Sequence, residues 1–248
     1  MLHIDETVVN LRQQTGYVWV VTSLDMVYFF YRPSREGSFL VEMLGAYSGV
    51  LVSDFYTAYD SMPCEQQKCL VHLVRELDED LVHNPLDAQY KDMARAFGSL
   101  LRTIIGTVDR YGLKKRHLGK HKRDVGRFLR NVEGLEPASE LVDKYRKRFL
   151  KYGARMFTFS DHDGVPWNNN NAEHAIKRFA KYRRNADGRY TERSLKEYLV
   201  LASVLETCEF NNANVLKFLL SKERTLDGLL RMAGRKARTA SGISSSVS

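Results

Sequence analysis

The chain has 248 residues, 44% of them hydrophobic and 27% charged, and carries a formal net charge of +8. This is the balance of a water-soluble globular protein, either one large domain or one domain with an insertion. Three cysteines, no apolar run of membrane-spanning length and an N-terminus (MLHIDETVV) without a basic start or a long apolar core exclude a disulfide framework, a membrane span and a secretion leader. A reducing compartment, the cytoplasm, is expected, and the surplus of cations favours a polyanionic partner, nucleic acid before an anionic membrane surface.

Residues 3–10 (HIDETVVN) read as a strand, residues 13–16 as a turn, and residues 17–23 (YVWVVTS) as a second strand rich in valine and aromatics. Residues 26–31 (MVYFFY) make a third, so the chain opens with an antiparallel meander. Residues 38–47 have the apolar stripe of a helix. Residues 50–54 (VLVSD) are apolar on successive positions, as in a central strand covered on both faces, and end in Asp54. Residues 66–71 (QQKCLV) are expected as a fifth strand leading into a helix from about residue 72 to residue 82.

Residues 87–150 follow a helical period through Tyr90, Met93, Ala94, Phe97, Leu100, Leu101, Ile104 and Ile105, and residues 114–130 are dense in Lys, Arg and His. Residues 141–150 continue as a basic helix. In WNNNNAEHAIKRFAKYRR (residues 167–184) the asparagines suit a helix start. Ala172, Ala175, Ile176 and Phe179 share one face of that helix, while Glu173, Lys177, Lys181 and Arg184 share another on the solvent side. Residues 191–208, 215–220 and 226–232 complete the helices, and residues 234–248, rich in Gly, Ser and Arg, are expected to be disordered.

Three strands, helix, strand, strand, helix, helical insertion and acidic helix is the order of a ribonuclease-H-like α/β fold, a five-stranded mixed sheet with flanking helices. The expected organisation is residues 1–84 for the sheet part, 85–160 for the insertion, 161–233 for the acidic and C-terminal helices, and 234–248 for the tail. In such a sheet strands one and four are neighbours, so Asp5 and Asp54 can face each other, and Glu173 can close the site. Three carboxylates without a histidine-rich partner set suit hard divalent cations, Mg²⁺ or Mn²⁺. Two such ions can activate the attacking oxygen and stabilise the leaving one in phosphoryl transfer.

HIDET, GYVWVVTS, GVLVSDFYTAYD, KCLVHLVREL and WNNNNAEHAIK together resemble the catalytic region of the insertion-sequence-sixty-six family of DDE transposases, over about residues 3–220. The resemblance implies that Asp5, Asp54 and Glu173 are the acidic triad and metal ligands, and that the insertion precedes the glutamate. It implies transposon-end and target DNA as partners, a homodimer in the active complex, and work at the nucleoid. The family's cysteine-x-x-histidine signature falls on Cys69 and His72. The residue after the second aspartate, often glycine in the family, is Phe55 here. Family members carry an N-terminal DNA-end-binding region; this sequence is expected to start at the catalytic region without it. The DNA contacts expected are His72, Asn170, Lys177, Arg178, Lys181, Arg183 and Arg184.

Plainer readings stand beside these. Asp5 and Asp54 can be ordinary strand-end acids, and Glu173 an acid favoured at a helix start by the macrodipole. The helix cations can be a solvated face, and residues 114–130 are equally a surface or a flanking DNA track. Cys64, Cys69 and His72 lack the fourth ligand of a structural zinc; Cys69 is expected as a buried strand residue. Asp163, in the loop DHDG, suits turn chemistry better than a third ligand. Trp167 is expected in the core, with stacking on an unpaired base as the alternative. For the whole chain, the alternatives to a transposase are a nuclease that cuts without joining and a non-catalytic DNA-binding remnant.

Overall fold

In the computed structural model, residues 1–186 and 188–234 are described. The expected tail, apart from Gly234, lies outside the described residues. The chain divides into two compact units, one of Met1–Cys64 with Asn169–Ser248 and one of Glu65–Asn168. All five expected strands form: β1 (Leu2–Asn10), β2 (Thr15–Thr22), β3 (Val27–Arg32), β4 (Val50–Ser53) and β5 (Glu65–Lys68). They make a mixed sheet in the order β3-β2-β1-β4-β5. Among the described residues no helix is long and apolar enough to cross a membrane.

In the first unit, β1 and β2 pair antiparallel from His3 opposite Thr22 to Asn10 opposite Thr15. β4 runs parallel to β1, with Leu2 beside Leu51 and His3 beside Val52. Alternation along each strand feeds two cores. Leu2, Ile4, Trp19, Val21 and Leu51 face one side, where Leu40 of α1 (Ser38–Leu44) and Tyr59 join them. Trp19 is fully buried there, edge-on to Phe39 at 5.1 Å between ring centroids. The opposite side takes Val9, Val18, Val20 and Phe29.

Two late helices cover that second face: α7 (Asn170–Ala186), through Ala172, Ala175 and Phe179, and α8 (Glu192–Phe210), through Leu195 and Leu199. β3 ends the strand order, and α8 covers its edge. The backbone N–H groups of Phe29 and Val27 donate to Ser203 Oγ at 2.9 Å and Thr207 Oγ1 at 3.1 Å. Those donors would otherwise be open to pairing with another chain. Two short helices, α9 (Val215–Leu220) and α10 (Leu226–Met232), pack beside Cys208 through Phe218 and Leu229.

The second unit holds the helices between them: α2 (Leu70–His83), α3 (Ala88–Tyr111), α4 (Lys115–Leu118), α5 (Lys122–Glu133) and α6 (Glu140–Met156). Its core is an aromatic cluster in which Phe97, Phe128 and Phe149 meet pairwise at 5.1–5.7 Å. Tyr90 and Tyr145 reach back to α2, donating to the Leu77 carbonyl at 2.9 Å and to Asp80 Oδ2 at 2.8 Å. Of the apolar positions expected on α3, Leu100 and Ile105 stay half-buried while the other six are buried.

Two boundaries differ from expectation. β5 stops at Lys68, and α2 begins at Leu70, not residue 72. Leu70 is the first of a stripe with Leu73 and Leu77, all buried, and a 3.6-residue period wins over the short apolar run that reads as strand. Cys69 is buried as expected, but as the residue capping α2 and not as a strand residue. α1 ends at Leu44, before the glycine at 45, instead of running to residue 47.

Candidate functional site

β1 brings two acids in succession, Asp5 and Glu6, and the pleat sends them to opposite faces. Asp5 lies opposite Val20, on the face covered by α7; Glu6 lies opposite Trp19, on the face of α1. The parallel register of β4 against β1 runs one to one, and carried on it sets Asp5 level with Asp54, one residue beyond the carboxyl end of β4. Adjacent strands lie about 4.8 Å apart, so the two aspartates are neighbours. Asp54 Oδ1 accepts the backbone N–H of Tyr56 at 2.9 Å, a local turn that fixes its side chain.

Glu173 arrives on the first turn of α7, and the asparagines hold that turn in place. Asn169 is fully buried. Its Nδ2 donates to the Ile4 carbonyl at 2.9 Å, and its Oδ1 accepts from His3 Nδ1 at 3.1 Å. Asn171 Nδ2 donates to the other ring nitrogen of His3 at 3.3 Å. This pattern needs a neutral imidazole with its proton on Nδ1, and burial, the main cause, lowers the His3 pKa to about 4. The strap seats α7 on the residues just before Asp5. At the other end of the helix, Arg183 Nη1 donates to Thr7 Oγ1 at 3.0 Å and also to the Val8 carbonyl.

Asn169→Ala is expected to lower stability by about 2 kcal/mol or more, because it strips partners from a buried imidazole and a buried carbonyl. Urea unfolding at neutral pH measures this loss, and a change under half that size would remove the strap from the account.

The three acids expected from the sequence therefore fall in one unit, and Asp54 and Glu173 both act on Asp5. The carboxyl of Asp5 is pushed up to about 7, first by burial and then by repulsion from Glu6, Asp54 and, more weakly, Glu173. Glu173 is 8% exposed, so the leading carboxylate of the helix stripe is buried where a solvent face was expected; the strap at Asn169 presses the first turn onto the sheet. Lys177 Nζ donates to Glu173 Oε2 at 3.2 Å.

Glu6 is the acid that sequence reasoning missed. Arg35 Nε donates to its Oε1 at 2.8 Å, and the Tyr59 hydroxyl donates to its Oε2. Arg35 stacks over the Tyr56 ring at 4.0 Å, and the Tyr56 hydroxyl donates to the Arg35 carbonyl at 3.0 Å. One set of contacts thus joins the Asp54 turn to Glu6. The available signal was the pleat: an even-numbered position of β1, in line with the buried Leu2 and Ile4, carries an acid.

The expected DNA contacts divide. Lys181 and Arg184 are exposed and have no acidic partner among the described residues. Arg178 is instead paired with Glu206 at 2.8 Å and with Glu209, both on α8, and Arg183 is committed to β1. Those charges are spent inside the chain, which local spacing on α7 does not reveal. Asn170 is exposed at the helix start, and His72 is half-buried on the first turn of α2 in the second unit. Asp163 is also in the second unit, where its Oδ1 accepts the Lys115 N–H at 2.8 Å, a long-range contact at the head of α4 and not the local turn bond expected.

The donor set fits a hard divalent cation. It is all carboxylate oxygen, Asp5 and Asp54 are half-buried and Glu173 is buried, and a bound cation would offset the burial and like charge that raise the Asp5 carboxyl. A mixed α/β sheet that pools acids from within one strand, the end of its neighbour and the start of a helix defines a carboxylate-centred protein of the α/β class. Residues 1–197 match the family described as Transposase IS66 family. The chain belongs to that family. No curated protein and no solved structure matches the chain.

Proposed function

We propose that this chain is the catalytic region of a DDE-type DNA transposase with a ribonuclease-H-like fold, cleaving transposon ends and joining them to target DNA. The observation that carries the reading is geometric: the parallel register sets Asp5 level with Asp54 on adjoining strands, and Glu173 is buried on the first turn of the helix that covers the same face as Asp5. The strand order, antiparallel through β3, β2 and β1 with β4 parallel to β1, supports it. So does membership of a transposase family.

Asp5, Asp54 and Glu173 would hold Mg²⁺ or Mn²⁺, up to two ions. Bound there, such ions supply Lewis-acid activation of an attacking oxygen and neutralisation of charge on the leaving one. The chain's own groups do the positioning. Asn169 and His3 fix Glu173 against β1, the Tyr56 turn fixes Asp54, and Glu6 with Arg35 steadies that turn. Lys177, Lys181 and Arg184 are exposed on the same helix as Glu173 and are the proposed phosphate contacts, with Asn170 at its start; His72, in the second unit, is a further proposed DNA contact. A homodimer is the proposed active form, since two ends have to be joined.

The test is a strand-joining assay with a pre-cleaved end and Mn²⁺. Joined product supports a transposase. Cutting without joining reassigns the chain as a nuclease. Salt-sensitive DNA binding with no metal-dependent turnover makes it a binding remnant.

A further inference from the structure

Within the second unit, α2 and α3 leave a groove that the proposed chemistry does not use. It encloses about 410 Å³ and is lined by Val71 and Val74 of α2, Leu101 and Ile105 of α3, and Trp167. That volume is within the range of small-ligand sites, about 300–1,000 Å³. Trp167 was expected in the core; it is only half-buried. Its position is fixed through its own carbonyl, which accepts the N–H of Leu70 at the head of α2 at 2.9 Å.

Arg75 and Arg102 flank the groove. Both are exposed and have no acidic partner among the described residues. Three other arginines of the unit are matched, Arg148 with Glu76, Arg95 with Asp92 and Arg127 with Asp124, but only Arg75 and Arg102 line the groove. An apolar slot with an aromatic wall and two unmatched guanidinium groups is complementary to a flat ring joined to anions. An apolar protein helix laid in the same slot would bury both guanidinium groups without compensation.

We propose that this groove binds one unpaired nucleobase of a polynucleotide, the base stacking on Trp167 and the adjoining phosphates meeting Arg75 and Arg102. Base–aromatic stacking tolerates any sequence, and the two arginines add a salt-dependent part. The site needs no metal, so it stands or falls apart from the proposed catalysis.

The experiment is titration of the whole chain with a short oligothymidylate in EDTA, read by tryptophan fluorescence. The chain has two tryptophans, and Trp19 is fully buried, so a change on binding reports Trp167. Quenching is expected, and Trp167→Phe should abolish it. Gly98 also lines the groove, and a Cβ there meets nothing within 4 Å. Gly98→Leu therefore starts from an unhindered Cβ and extends into the slot, on a helix where leucine is the better former, and should weaken binding about ten-fold. Arg75→Gln with Arg102→Gln, both exposed, should lower the slope of log affinity against log salt by about 1.4, about 0.7 for each phosphate contact to a single strand.

Undiminished quenching in Gly98→Leu with its melting temperature unchanged overturns the proposal, as does equal quenching by a blunt duplex. Binding with no fluorescence change places the contact elsewhere and overturns it too. Trp167 fluorescence that follows protein concentration and ignores oligonucleotide assigns the groove to a second copy of the chain, against the proposal.

Discussion

Asp5→Asn, Asp54→Asn and Glu173→Gln are each expected to reduce Mn²⁺-dependent cleavage and strand joining by about 10³-fold or more while leaving the fold intact. A carboxylate that holds a catalytic cation contributes several kcal/mol to the transition state, and each 1.36 kcal/mol is ten-fold in rate. An amide of the same shape keeps the volume and loses the charge. In Glu173→Gln the loss of the pair with Lys177, which is 69% exposed, costs little stability. DNA affinity should survive in all three variants, because the proposed phosphate contacts are Lys177, Lys181 and Arg184. Nicking that persists in all three would remove the assignment.

The second large effect is on stability. Folding raises the Asp5 carboxyl from the unfolded value of about 3.9 to about 7. Between these values the folded chain holds a proton that the unfolded chain has lost, so stability falls as pH rises through that window. The penalty is absent below about pH 4 and complete above about pH 7, and three pKa units amount to about 4 kcal/mol. Asp5→Asn should therefore be more stable than the parent at about pH 8, with the two converging towards about pH 4. Mn²⁺ should raise the stability of the parent at the higher pH and leave Asp5→Asn nearly unmoved. Denaturant unfolding across this range measures both, and parallel curves without metal would show that Asp5 is not under this strain.

Much of this arrangement is legible in the sequence because it is set by local rules. β-branched and aromatic runs give β1 to β3, and the continuous apolar run VLVSD gives β4 and puts an acid at its end. Ala172, Ala175 and Phe179 give the buried face of α7. What escapes is set by partners far away in the chain. Arg178 looks like a free cation until Glu206 and Glu209 arrive from the next helix. Glu6 looks like an exposed companion of Asp5 until Arg35 and Tyr59 close on it. Asn169 and Asn171 read as helix-capping chemistry; their reach to His3 and Ile4 spans more than 160 residues and leaves no local trace. The start of α2 is missed because a few apolar residues fit either period.

Fastening α7 to β1 at both ends has a mechanical consequence. The acid-bearing helix and the acid-bearing strand form a single rigid lever arm, with Asn169 and Arg183 as its rivets. Glu173 cannot swing away from Asp5 without breaking the buried contacts of Asn169 to the Ile4 carbonyl and His3. On the proposed function, ions and DNA would then meet a frame already assembled.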